Sequence, residues 1–258
     1  MRLMKRILSA AAVLALSASL LVGCSSGTAS SVPVSASSAA GSTVSSVEET
    51  ASSAVDENEA AAAQLLNDLT GSYQELWPVI LADEYKQTWL DDCTALVGED
   101  NAEAAFEKLS SMVTGDVYGE DAVKAYANGG GAYFCGFTNS LAILTFDGET
   151  STISGTDKDG NVLFSHTYHY IGMEPVRGLY EFQSDDADSG EFTYFFLAPD
   201  TSAETYHIEF RYGSDAEALS QYDTGEYAYW LASGISTDCD QTMIDNCIEL
   251  FCTENLAG

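Results

Sequence analysis

The sequence predicts an α+β fold in which helices precede an antiparallel meander that closes into a barrel. Three observations carry this. Between Tyr73 and Ala127, helix formers recur at amphipathic spacing. From Gly131 the pattern changes to short aromatic and β-branched runs separated by turn residues, as expected of closely connected strands. After Gln241 the helical period returns in Met243, Ile244, Cys247, Ile248, Leu250 and Phe251.

The elements follow in order. Residues 1–23 combine Arg2, Lys5 and Arg6 with the apolar, small-residue run Ile7 to Val22, which is too short and too rich in Ser and Ala to span a membrane, and this reads as a signal peptide. Residues 24–60 are dominated by Ser, Ala, Thr, Val and Gly, with little to bury against the entropy of ordering, and are expected to form a disordered tether. The folded domain, 61–258, is expected to begin between about Asp56 and Gln64, where Leu65, Leu66 and Leu69 start an apolar helical pattern. Helices are expected at Tyr73–Leu81, Asp83–Leu90, Ala102–Met112 and Asp121–Ala127. Strands are expected at Ala132–Phe137, Leu141–Phe146, Thr150–Ser154, Val162–Tyr170, Leu179–Gln183, Phe192–Leu197 and Thr205–Tyr212, with Asp147-Gly148 and Asp159-Gly160 as hairpin turns.

Charge bounds the partners. Nine Lys and Arg residues face 40 Asp and Glu, for a formal net charge of −31. A chain without a basic footprint does not bind nucleic acid, because phosphate contacts need Lys and Arg. The acidity keeps a surface protein soluble and concentrates cations near it, without naming a function.

The cysteines divide by role. Leu21-Val22-Gly23-Cys24 resembles the lipobox of bacterial lipoproteins, in which the cysteine thiol receives diacylglycerol before cleavage. The resemblance implies that Cys24 is the lipidation site and that the chain is anchored on the extracytoplasmic face of the cell membrane. That leaves Cys93, Cys135, Cys239, Cys247 and Cys252, an odd number in a compartment that permits disulfides. No CxxC occurs, so neither a thioredoxin-type centre nor a zinc ribbon is indicated. Cys247 and Cys252 would lie about 140° apart around a helix and are not expected to bond each other. All five read as buried small hydrophobes or structural disulfide partners.

One strand holds the candidate chemistry. In Thr205 to Tyr212, alternation places Tyr206, Ile208, Phe210 and Tyr212 on one face and Thr205, His207, Glu209 and Arg211 on the other. A histidine and a carboxylate two apart on one strand face are donors a metal can use. On spacing alone, a solvated polar face with a Glu209–Arg211 pair is the commoner outcome.

Longer-range motifs sharpen this. The frame His207-Ile208-Glu209-Phe210-Arg211-Tyr212-Gly213-Ser214-Asp215 resembles the hallmark of the bacterial zinc-recruitment family ZinT/YodA, a His-x-His strand followed by Gly-Asn-Asp. Leu69 to Pro78 resembles that family's opening motif. Tyr168-His169-Tyr170-Ile171-Gly172 and Val176-Arg177-Gly178-Leu179-Tyr180-Glu181 resemble its middle strands. The resemblance implies a calycin or lipocalin-like barrel that binds zinc, or another divalent cation, at its mouth and captures it for uptake, in concert with a metal ABC importer. It does not imply an enzyme.

The chain also departs from the family. Glu209 stands where the family has its second histidine, Phe195 lies near the place of the third, and no histidine-rich loop is present. The chain has three histidines in all. His166 and His169, three apart on one strand, face opposite sides, so one of them would complete a site with His207 and Glu209; His169 aligns beside the family's matching strand. Asp157 to Asn161 and Asp185 to Glu191 lack the ligand spacing of calcium loops and read as acidic turns. No hydrolase elbow, phosphate loop, zinc-protease helix or dinucleotide fingerprint occurs. Two classes remain: a lipid-anchored metal-binding module, and a degenerate barrel of the same fold that binds an organic ligand or protein partner and no metal.

Overall fold

The computed structural model describes residues 45–198 and 207–257, with side chains from Glu57 onward. The signal-peptide reading and the Cys24 lipidation site lie outside the described residues. Helix α1 runs Ser45–Asp68. Its first turns belong to a unit that ends at Ala54, and the remainder to the unit Val55–Gly258.

Helical structure therefore extends into the stretch read as tether. Alanine, the best helix former, is abundant there. From Glu57 onward the helix has a physical anchor, because Ala62, Leu65, Leu66 and Leu69 form an apolar stripe at helical spacing that is buried in the barrel's own core.

The barrel is closed, antiparallel and up-and-down in strand order β1 to β8, with β1 pairing with both β2 and β8. The strands are β1 Gly71–Glu75, β2 Ile143–Asp147, β3 Thr152–Thr156, β4 Val162–Met173, β5 Tyr180–Ser184, β6 Tyr194–Leu197, β7 His207–Gly213 and β8 Ala232–Ser236. With its helices this is a calycin or lipocalin-like α+β fold, as the sequence predicts. The remaining helices are α2 Leu76–Ile80, α3 Lys86–Val97, α4 Glu99–Val113, α5 Glu120–Ala125, α6 Ala216–Leu219 and α7 Gln241–Leu256.

Three elements differ from the sequence prediction. Residues 71–75 form β1 rather than the start of a helix, since the strand closes the barrel between β2 and β8 and tertiary pairing overrides local propensity. Ala132–Phe137 contributes isolated bridges at Phe134 instead of a strand. β8 is an additional strand whose sequence, Ala-Ser-Gly-Ile-Ser, is poor in β-formers. Its small residues admit close neighbours: a Cβ on Gly234 would lie 3.0 Å from the Ile208 side chain.

Register partners share a sheet face, so the ladder defines the interior. Phe182, Phe195 and Tyr212 form one row, Tyr180, Leu197 and Phe210 another, and Phe146, Ile153 and His166 a third. Aromatic rings from these rows fill the barrel, with Phe195 and Tyr212 centroids 5.4 Å apart and Tyr212 meeting Trp230 edge-on at 5.0 Å. Trp230 itself is tied down by its Nε1, which donates to the Gly136 carbonyl at 2.9 Å.

Both predicted hairpin turns are present. At the β2–β3 turn, a Cβ on Gly148 would come within 2.4 Å of the Asn67 backbone, so glycine is what lets α1 dock there. At the β3–β4 turn Gly160 has φ +81° and the Asp157 carboxylate accepts from the backbone of Asp159 and Asn161.

Helices α2, α3, α4 and α7 build a second core outside the barrel. It contains Trp77, Trp89, Leu109, Cys135, Ile248 and Cys252, and meets the barrel through Ile235 on the outer face of β8. Asp240 caps α7 by accepting from the Met243 amide at 3.0 Å.

Candidate metal site at the barrel rim

Strand β7 separates its residues as alternation predicts, but the direction of the faces is decided by the core. Ile208, Phe210 and Tyr212 are buried in the barrel interior. His207, Glu209 and Arg211 therefore lie on the outer face, and the expectation that His207 and Glu209 project into the barrel mouth is corrected. Thr205 and Tyr206 lie outside the described residues.

On that outer face Arg211 is buried, and His207 and Glu209 are half-buried. His207 pairs in register with Ile235, which packs in the helical core, and Glu209 pairs with Ser233. The thiols of Cys135 and Cys247 are each pushed up to about 12, first by burial and then by the Glu209 charge. Arg211 has no exposed surface. Its guanidinium donates to the carbonyls of Leu219 and Tyr227 and, at 3.2 Å, of Gln221, and lies 4.4 Å from the Tyr222 ring centroid. Burial lowers its pKa to about 10, which leaves it charged at neutral pH. The expected solvated Glu209–Arg211 face is not what the structure contains.

The other two histidines belong to β4. His166 pairs with Ile153 and so faces the interior, where its ring stacks 5.9 Å from Phe164. His169 pairs with Gln183 on the outer face. The predicted split across the strand is present, and it is matched by two consecutive aspartates that follow β5. His166 Nδ1 lies 2.7 Å from Asp186 Oδ2, and His169 Nδ1 lies 2.6 Å from Asp185 Oδ1.

Asp185 and Asp186 lie in the bend that follows β5, and their contacts with histidines on opposite faces of β4 place one carboxylate on each side of that strand. The loop is fixed in turn. The Asp185 amide donates to the Thr167 carbonyl at 2.9 Å, the Asp186 amide to Ser184 Oγ at 3.1 Å, and Ser189 Oγ to the Asp186 carbonyl at 3.0 Å.

Because a carboxylate only accepts, each Nδ1 donates, and the neutral form of each ring keeps its lone pair on Nε2. This is how a carboxylate orients a metal-ligating histidine. The side chain of His166 is 18% exposed and that of His169 53%, so the first is the more enclosed of the two.

These pairs are remote from His207 and Glu209. Two strands separate β4 from β7, which at ~4.8 Å per strand places them on the order of 14 Å apart, with His166 facing in and His207 facing out. Among the described residues, no group of three or more His, Cys, Asp or Glu side chains is placed to hold a metal ion. The set His207, Glu209, His169 and His166 is therefore not gathered into one centre, and the described residues do not assemble a closed zinc site of three or four protein ligands.

Sequence reasoning missed Asp185 and Asp186, taking them for a plain acidic turn. Two consecutive aspartates after a strand, opposite two histidines three apart, were the available signal.

A cavity of about 350 Å³ is lined by Glu75, Trp77, Leu81, Val113, Phe134 and Cys135 among others. Glu75 is engaged at its edge, with Oε1 accepting from the Phe137 amide at 2.6 Å.

No family model and no curated protein sequence matches the chain. Among solved structures, the chain is similar to the Zn(II)-bound ZinT-like domain of Streptococcus pneumoniae AdcA, with 16% identity and a TM-score of 0.45 over 71% of this chain and 89% of that one. It is also similar to Zn(II)-bound AdcA from Streptococcus pneumoniae, with 17% identity and a TM-score of 0.41 over 72% of this chain and 35% of that one.

Proposed function

We propose that the chain is a lipid-anchored extracytoplasmic module that binds a divalent cation, zinc foremost, at an open site on the barrel rim, and that it acts as a binding protein and not an enzyme. The observation that carries this reading is the His166–Asp186 pair at 2.7 Å on the inward face of β4. The carboxylate fixes the imidazole with Nε2 as the lone-pair nitrogen, and His169 with Asp185 offers a second, more exposed pair on the other side of the same strand. A centre with so few protein ligands exchanges its ion readily, which suits transfer to an importer better than storage. Cys24 in its lipobox frame would hold the module at the membrane, and the acidic surface would enrich cations near it. His207 and Glu209, the donors suggested by the family resemblance, are not assigned to this site.

Zinc calorimetry on the wild-type protein at neutral pH should give binding that weakens on acidification, since the ligating imidazole must be neutral. His166→Ala should abolish it, Asp186→Asn should weaken it about 10–100-fold, and His207→Ala should leave it intact. Loss of binding in His207→Ala with His166→Ala unaffected would overturn the assignment.

A second reading is favoured by the absence of a three-donor cluster among the described residues and by the aromatic filling of the barrel. In it, the fold binds an organic ligand or a protein partner and no metal, using the cavity at Glu75 and Trp77. Absence of zinc binding by the wild-type protein would select it.

A further inference from the structure

The helical layer holds two thiols from distant parts of the chain. Cys93 on α3 and Cys252 on α7 are 159 residues apart in sequence, yet their sulfur atoms are 3.9 Å from each other. Neither has exposed surface, and both belong to the core that also contains Trp89 and Ile248. Cys135, Cys239 and Cys247 are free as well, but no sulfur–sulfur contact involving them accompanies this one.

We propose that Cys93 and Cys252 are a disulfide-forming pair that staples α7 to α3. Forming the bond brings sulfurs already 3.9 Å apart to about 2.0 Å. In the reaction each thiol gives up a proton, the two sulfurs join, and the two electrons pass to an oxidant of the disulfide class, which is reduced to two thiols. Exchange proceeds through a mixed disulfide on one cysteine that the other then displaces.

The burial that favours the product slows its formation in the finished fold. Both thiols are shifted upward, chiefly by desolvation, so little thiolate is present at neutral pH. No oxidant reaches sulfurs without exposed surface. The bond therefore forms as the chain folds or when α7 opens. Cys252 lies near the end of α7 (Gln241–Leu256), so the staple restrains a C-terminal element of the kind that otherwise frays first. Because the loop it closes is long, the constraint on the unfolded chain is large. The proposal does not depend on the metal reading, and zinc binding by the rim site leaves it unchanged.

The test is to refold the full chain in a mixture of oxidised and reduced glutathione, alkylate it in denaturant, and map the peptides. The expected product is one cross-linked peptide pair containing Cys93 and Cys252, with Cys135, Cys239 and Cys247 alkylated, as is Cys24 in the unlipidated chain. The oxidised protein should melt at a higher temperature than the same protein refolded under reductant. Cys93→Ala should abolish that difference, as should Cys252→Ala, while Cys239→Ala should preserve it. Alkylation of Cys93 and Cys252 in the refolded wild type, or a cross-link joining another pair, would overturn the proposal. So would an oxidation-dependent melting shift that survives in Cys93→Ala.

Discussion

A guanidinium cut off from water has to find its partners within the fold, and the two terminal nitrogens of Arg211 find them in backbone carbonyls, while its Nε has no hydrogen-bond partner among the described residues. Its fork gathers the carbonyls of Leu219, Gln221 and Tyr227, the chain that leads from β7 back to β8, and the Tyr222 ring covers its face. One side chain thus fixes a segment with little regular structure of its own. Tyr222 is held from its other side by Arg177, whose guanidinium is 4.3 Å from the same ring. Removing the fork would leave buried carbonyls without donors, each at about 1–3 kcal/mol. Arg211→Met should therefore lower unfolding free energy by about 3–5 kcal/mol in urea titration. Arg211→Lys should recover only part of it, because a single ammonium cannot span the same carbonyls. Wild-type stability in Arg211→Met would show that the segment is held by its apolar contacts alone.

Among elements, α1 carries the clearest division of labour. Its buried stripe, Ala62, Leu65, Leu66 and Leu69, lies wholly after Val55 and joins the barrel core, while Thr70 Oγ1 accepts from the Gly148 amide at 3.0 Å where the helix end meets the β2–β3 turn. A chain beginning at Asp56 should unfold cooperatively with an unchanged thermal midpoint. One beginning at Leu69 should lose much of its stability, since each buried leucine removed costs about 2–5 kcal/mol. A lower midpoint for the first truncation would show that residues before Val55 pack on the domain.

The same element marks how far the sequence could be read. Its apolar stripe was legible from spacing, as were the meander after Gly131 and the hairpins at Gly148 and Gly160. β1 and β8 were not, because a five-residue strand that closes a barrel is defined by its two partners and not by its own composition. For the site, the period revealed that His166 and His169 face apart and that His207 and Glu209 face together. Inside and outside were set by the bulk of Ile208, Phe210 and Tyr212, which needed the barrel. The aspartate partners of His166 and His169 come from a loop, where no period operates.

At the scale of the whole molecule, 40 acidic residues against nine basic ones make proton uptake a source of stability. The carboxyl groups of Asp92 and Glu181 are held above their ordinary values in the folded state. Asp92 is raised by desolvation and then by Glu249, Asp245 and Asp91, and Glu181 by desolvation and then by Glu174. A carboxyl group whose folded pKa lies above its unfolded one binds protons more readily in the folded protein. Its contribution is complete below the unfolded value and is lost as pH rises through the folded value. Acidifying from neutral pH should therefore raise the melting temperature, with relief of general carboxylate repulsion acting in the same direction. Asp157 sets the opposite trend. Its carboxylate is held below the ordinary value first by the Asn161 side chain and then by backbone amides of Asn161 and Asp159, so its contribution is present above the unfolded value and lost as pH falls through the folded one. Melting temperature should then pass through a maximum in mild acid, above the ordinary aspartate range, and fall on further acidification. Added salt should raise the neutral-pH value more than the value at the maximum, because more charge remains to be screened there. A melting temperature that declines steadily from neutral pH downward, with no maximum, would show that the ionised carboxylates are on balance stabilising partners.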